Sequence, residues 1–334
     1  MNKNFQSLLF GFAIAILTPF SLQAQFGSFT IIRCEDSAAV VALIDTVFLK
    51  GVNSSQYKNI TFKGDPYAVG YFYDGFMFGG FQTKKGIVMS SGYAGELDKT
   101  NNCSNQVVSY NTTGGSDVDL ASLVSTSIND ACVIEFDFKP TNQISSFRYV
   151  FGSEEYPEYV GGSFNDVFGF FLSGDGINGT YSNNAVNIAL IPNTSLPVSI
   201  NNVNCGNTNP NCQPGPGGTY CDLLIENIVT TSPAFKQLAL NAYTIAFTAD
   251  NATTPCSWYH IKLAIGDAGD SAWDSGVFLE MGSFDPGKIT ESTNYTHPTV
   301  DSLLYESCNN HEAILYLMTI RNVSQRLFEL YTGY

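Results

Sequence analysis

Charge is scarce in this 334-residue sequence: Asp, Glu, Lys and Arg make up 13%, about half the roughly 25% usual in soluble proteins. Basic residues are scarcer still, 15 against 30 acidic ones, for a formal net charge of -15. Binding a phosphate backbone needs a basic surface, so nucleic acid is excluded as a partner. Histidine is down to three, His260, His297 and His311, far apart in the chain, and no C-x-x-C pair occurs. The usual spacing of a zinc site is therefore missing. Also absent are a G-x-S-x-G elbow, an H-E-x-x-H helix and a glycine-rich phosphate loop, the signatures of several common catalytic centres. Long hydrophobic runs are lacking too. The apolar run Leu8 to Phe20 covers 13 residues, short of the roughly 20 that a membrane-crossing helix needs.

That run follows Lys3 and ends in small and polar residues around Ala24, the pattern of a secretory signal peptide over residues 1–24. The mature chain is expected to start near Gln25, outside the cytoplasm, with no transmembrane segment. Losing Lys3 takes the net charge from -15 to -16, and an acidic surface favours solubility and attracts cations. Eight cysteines, Cys34, Cys103, Cys132, Cys205, Cys212, Cys221, Cys256 and Cys308, form an even set. In an exported chain they are read as disulfides. Their pairing stays open, because eight cysteines allow 105 connectivities.

One helix is readable near the N-terminus. Asp36 is a candidate N-cap, Val40, Val41, Leu43, Ile44, Val47 and Phe48 recur at helical spacing, and Gly51 supplies the stop. Almost everything later reads as strand. In CVIEFDFK, Cys132, Ile134, Phe136 and Phe138 point one way, while Val133, Glu135, Asp137 and Lys139 point to a wet face. NITFKG, GIVMSSG, SSFRYVFGS, DVFGFFLSG, AVNIALIP, AYTIAFTAD, WYHIKLAIGD and SGVFLEMGSF follow the same grammar between turn residues. About nine strands without alternating βα units predict an all-β fold, an antiparallel β-sandwich of jelly-roll, lectin-like type with one N-terminal helix. It is expected to occupy residues 25–284. The Pro- and Gly-rich segment Cys205 to Cys221 breaks this pattern, and residues 285–334 read as the start of a second β module or a C-terminal extension.

SFRYVFGSEEYPEYVGGSFNDVFGFFLSG, NIALIP followed by PVSINNVN, YHIKLAIGDAGDSAWDSGVFLEMGSF, the GDP at Gly64 to Pro66 and GGSDVDLASL from Gly114 together resemble the choice-of-anchor L domain. That resemblance runs from about Val40 to Phe284. It implies an exported, mostly bacterial, cell-surface module, and no particular catalytic activity. The cysteine-rich loop after Asn204 departs from the family pattern.

Two connections concentrate the acids. Glu154, Glu155 and Glu158 follow one predicted strand and Asp166 opens the next, while Asp267, Asp270 and Asp274 lie in IGDAGDSAWDSG. Ca²⁺ takes six to eight oxygens from such loops, so these seven residues are candidate ligands. The competing reading is that they cap turns. The EF-hand spacing is absent. Glycoside hydrolysis needs two carboxyls facing each other across a cleft, which makes Glu155 or Glu158 with Asp274 the alternative reading. His260 is read as a strand-face residue and not as a base. Tyr156, Tyr159, Phe164 and Trp273 flank the acids and are candidates to stack on a sugar ring, against the plainer reading that they pack beneath the loops. The function expected is a non-catalytic adhesion or recognition module with calcium-organised loops and a glycan or protein ligand. A structural spacer in a longer surface protein is a further alternative.

Overall fold

The computed structural model describes residues 29–73, 75, 81–101, 108–207, 217–227 and 238–287. The expected signal peptide, nearly all of the expected C-terminal module, and Cys103, Cys212 and Cys308 lie outside the described residues.

Thirteen strands form among the described residues, because short β-branched and aromatic runs alternate with turn residues. They are β1 (Thr30–Arg33), β2 (Tyr57–Lys63), β3 (Val69–Tyr73), β4 (Gly86–Ser90), β5 (Ile128–Phe138), β6 (Ile144–Ser153), β7 (Val167–Gly174), β8 (Val186–Asn187), β9 (Leu224–Glu226), β10 (Ala242–Thr244), β11 (Phe247–Ala252), β12 (Tyr259–Ala268) and β13 (Ser275–Glu280). Two antiparallel sheets result. One runs β1-β3-β4-β13-β6-β10-β9 with β11 also on β6, and the other runs β2-β5-β12-β7-β8. The chain is a β-sandwich whose inner faces meet in one aromatic-rich core, including Phe136, Phe147, Tyr149, Phe168 and Phe170.

The helix sits where the spacing predicts it. α1 (Ser37–Leu43) is capped by Asp36, whose Oδ1 accepts from Ala39 N–H at 2.7 Å, and it continues as a wider π-helical turn over Ile44–Phe48. Gly51 takes φ +89°, the left-handed conformation that suits glycine after a helix. Phe48 reaches Phe147, Phe284 and Phe136 at 5.4, 5.5 and 6.3 Å, so this π-helical turn plugs the end of the sandwich where β6 begins.

Two predicted strands differ from expectation. In AVNIALIP only Val186–Asn187 forms a strand, paired with β7, while Ala185 and Leu190 make isolated bridges to Tyr181 and Pro197; Asn187 Oδ1 accepts from both Phe170 N–H and Ala189 N–H where the strand ends. AYTIAFTAD divides into β10 and β11, both on β6, with Ile245 N–H diverted to Leu223 O between them. A second helix, the single turn α2 (Val118–Ala121), is capped by Asp117. It covers the outer face of the five-stranded sheet, where Leu120 packs in one cluster with Val133, Phe171 and Ala264.

Disulfides hold only part of the expected set. Cys205 and Cys221 are bridged and Cys256 is disulfide-bonded. Cys34 and Cys132 depart from the expectation, since both are free and buried in the main core. Buried thiols pack there as small apolar groups, and burial pushes the Cys34 thiol up to about 11, so neither offers a reactive thiolate at neutral pH.

His260 lies on the outward face of β12, half-buried between two acids of β5. Its Nε2 is 3.3 Å from Glu135 and its Nδ1 is 2.8 Å from Asp137. The bond to Glu135 raises the imidazole pKa despite partial burial, and the bond to His260 lowers that of Glu135. A raised folded pKa contributes stability that is fully present below the unfolded value of about 6.5 and is lost as pH rises through the folded value. His260→Gln should therefore be less stable than wild type at about pH 5.5, by up to about 1 kcal/mol for so solvent-screened a group. The gap should close by about pH 9. Urea melts at the two pH values read this directly, and a gap that does not change with pH contradicts it.

Candidate functional site

One end of the sandwich gathers the ends of β4, β6 and β12 and the starts of β5, β7, β10 and β13, as the antiparallel registers require. Both acid-bearing connections arrive there. Glu154 and Glu155 follow β6, Asp166 precedes β7, Asp267 closes β12 and Asp274 precedes β13. Glu154 N–H donates to Asp274 O at 3.2 Å, which joins the two connections.

The depth of these acids was not legible in the sequence. Glu154, Glu155, Asp166, Asp267 and Asp274 are each at most 1% exposed. Burial pushes the Glu155 carboxyl up to about 8 and raises Asp166, Asp267 and Asp274 well above the ordinary carboxylate range. The next causes are mostly mutual: Glu155 acts on Asp166, Asp166 on Asp267, and Asp267 on Asp274. No ion pair among the described residues reaches Glu155, Asp166, Asp267 or Asp274. Ionising them together is costly without a positive charge nearby.

Hydrogen bonds satisfy part of the cluster. Asp166 Oδ1 accepts from Ala268 N–H at 3.1 Å and its Oδ2 from Ser275 Oγ at 2.7 Å. Glu155 Oε2 accepts from Asp166 N–H at 3.2 Å, Glu154 Oε2 from Val108 N–H at 3.0 Å, and Asp274 Oδ2 from Tyr110 N–H at 3.3 Å. Both oxygens of Asp267, Oδ1 of Asp274 and Oδ2 of Asp130 are buried without a hydrogen bond of acceptable geometry. As they stand, no three acidic, His or Cys side chains among the described residues are grouped so as to hold a metal ion. Asp130, at the start of β5, belongs to the same rim and acts on both Asp267 and Asp274. Sequence reasoning missed it because it lies inside a strand run, and its φ of +53° leaves no mark in the residue pattern.

Glu158 and Asp270 occupy the outer part of the rim, half-buried. Beside them three rings meet, with Tyr159 5.7 Å from Phe164 and 5.4 Å from Trp273. All three are half-exposed. Tyr156 is different: it is fully buried and its hydroxyl donates to Val203 O at 2.7 Å, so it packs beneath the rim as the plainer reading has it.

The family's sequence profile, described as the choice-of-anchor L domain, matches residues 32–285. The chain belongs to the choice-of-anchor L domain family. The match ends one residue past Phe284, the ring that closes the core against Phe48 and Phe136. The family name marks cell-surface modules, and no helix among the described residues is long and apolar enough to cross a membrane. No curated protein and no solved structure matches this chain.

Proposed function

We propose that the domain is an exported cell-surface adhesion or recognition module that breaks no bonds, and that calcium organises its acid-bearing rim. The observation that carries this reading is the layering of the rim, with carboxyls below and the rings of Tyr159, Phe164 and Trp273 half-exposed above them. Half-exposed aromatics offer apolar area with polar edges, the surface that recognises sugars and protein side chains. A glycosidase needs its two carboxyls in contact with the sugar, whereas Glu155 and Asp274 lie under the surface. A cavity of about 300 Å³ opens elsewhere, beside β8, lined by Tyr181, Asn187 and Pro197.

The test is binding of the mature domain, with calcium present, to a glycan array and a protein array. Replacing both Tyr159 and Trp273 by Ala should weaken binding at least about tenfold, the scale of losing an aromatic anchor, with the far-UV spectrum unchanged. Undiminished binding by that variant, or release of reducing sugar from any glycan, would sink the reading.

A further inference from the structure

We infer that the cation belongs inside the sandwich and not in the outer loops, with Asp267 and Asp274 as its carboxylate ligands and the Ser91 hydroxyl beside them. This rests on the reading that the rim is cation-organised, and it says where and how. Asp267 belongs to β12 of the five-stranded sheet and Asp274 lies just before β13 of the other, so one ion would tie the two layers together.

A carboxylate offers about four acceptor sites, and Asp267, with no exposed surface, has only the Ser91 hydroxyl and an Asp166 carboxyl oxygen close to it, neither in a well-formed hydrogen bond. Asp274 Oδ1 is in the same condition. The same strand shows what the fold does when it neutralises buried acids with its own cation. Five residues earlier on β12, Lys262 is placed 2.9 Å from Asp117 and 2.5 Å from Asp119. Among the described residues no lysine, arginine or histidine is paired with Asp267.

The donors are all oxygen, from carboxylates and from the hydroxyls of Ser91 and Ser275, a set that suits a hard cation and not zinc or copper. Two carboxylates are enough to begin a Ca²⁺ site, because the ion takes six to eight oxygens in all and can draw the rest from hydroxyls, backbone carbonyls and water. A Cβ on Gly92 would fall 1.7 Å from Asp274 Oδ2, so the carboxylate is seated against a residue that has no side chain.

The chain, purified without chelator, should carry about one calcium by elemental analysis. After EDTA treatment and dialysis, adding Ca²⁺ should raise the melting temperature by several degrees. Asp267→Asn, which keeps the shape, should lose both the metal and the rise, and Asp274→Asn serves as a second variant if the first does not fold. Glu158→Gln with Asp270→Asn should keep both. Loss in that outer pair with retention in Asp267→Asn overturns the interior site while leaving a cation-organised rim. Wild type with no metal and no rise overturns both, and neither outcome touches the ligand-binding test of Tyr159 and Trp273.

Discussion

Lys262→Ala should cost about 3–5 kcal/mol of folding stability, the scale of breaking a buried ion pair from one side. Lys262 is only 7% exposed, and its Nζ lies 2.9 Å from both oxygens of Asp117 and 2.5 Å from Asp119 Oδ2. Each acid has a second task. Asp117 caps α2 by accepting from the N–H groups of Asp119 and Leu120, and Asp119 Oδ1 accepts from the N–H and hydroxyl of Ser182. Burial alone would raise the Asp119 carboxyl, but the bonds from Lys262 and Ser182 outweigh it and the net direction is down. Without the lysine, two carboxylates stay buried with no positive partner. Most of the loss should return in Lys262→Met combined with Asp117→Asn and Asp119→Asn, which removes the stranded charges and leaves oxygen acceptors for the cap and for Ser182. Denaturant melts of the two variants decide it. A single variant within about 1 kcal/mol of wild type would mean that the triad is solvated like an ordinary surface pair.

Phe284→Ala should be as damaging, at about 3–5 kcal/mol, because the ring is fully buried among other rings and a cavity would remain. Phe284 lies 5.1 Å from Phe138, 5.3 Å from Phe136, 5.5 Å from Phe48 and 6.1 Å from Phe147. It therefore ties the chain after β13 to both sheets and to the turn that ends α1. The backbone beyond it is held too. Asp285 exchanges two hydrogen bonds with Ser146, and Gly287 O accepts from Gln56 and Thr141 side chains. A melt showing less than about 1.5 kcal/mol of loss would contradict the role given to this ring.

The sequence displayed most of the sandwich because period-two alternation survives in the structure. In β5, Ile134, Phe136 and Phe138 are buried while Glu135 and Asp137 stay half-exposed. Val133 breaks the pattern. It was expected on the wet face, but the single turn of α2 covers that part of the sheet, and alternation reports which face a residue is on without saying what covers it. Asp117 caps the single turn α2, and its pairing with Lys262, 145 residues away, was not legible. The same limit applies to the acids. Their place in two connections followed from the turn pattern, but their depth depends on how seven strand ends close over them. Local spacing carries no record of that, and acids are ordinarily expected at the surface.

The most direct test of the account is an anomalous difference map from crystals grown in calcium. The expected result is one strong peak enclosed between the sheets, within about 2.3–2.6 Å of an Asp267 oxygen, with an oxygen of Asp274 also bound to it. Peaks confined to the outer carboxylates Glu158 and Asp270, or none at all, would contradict it.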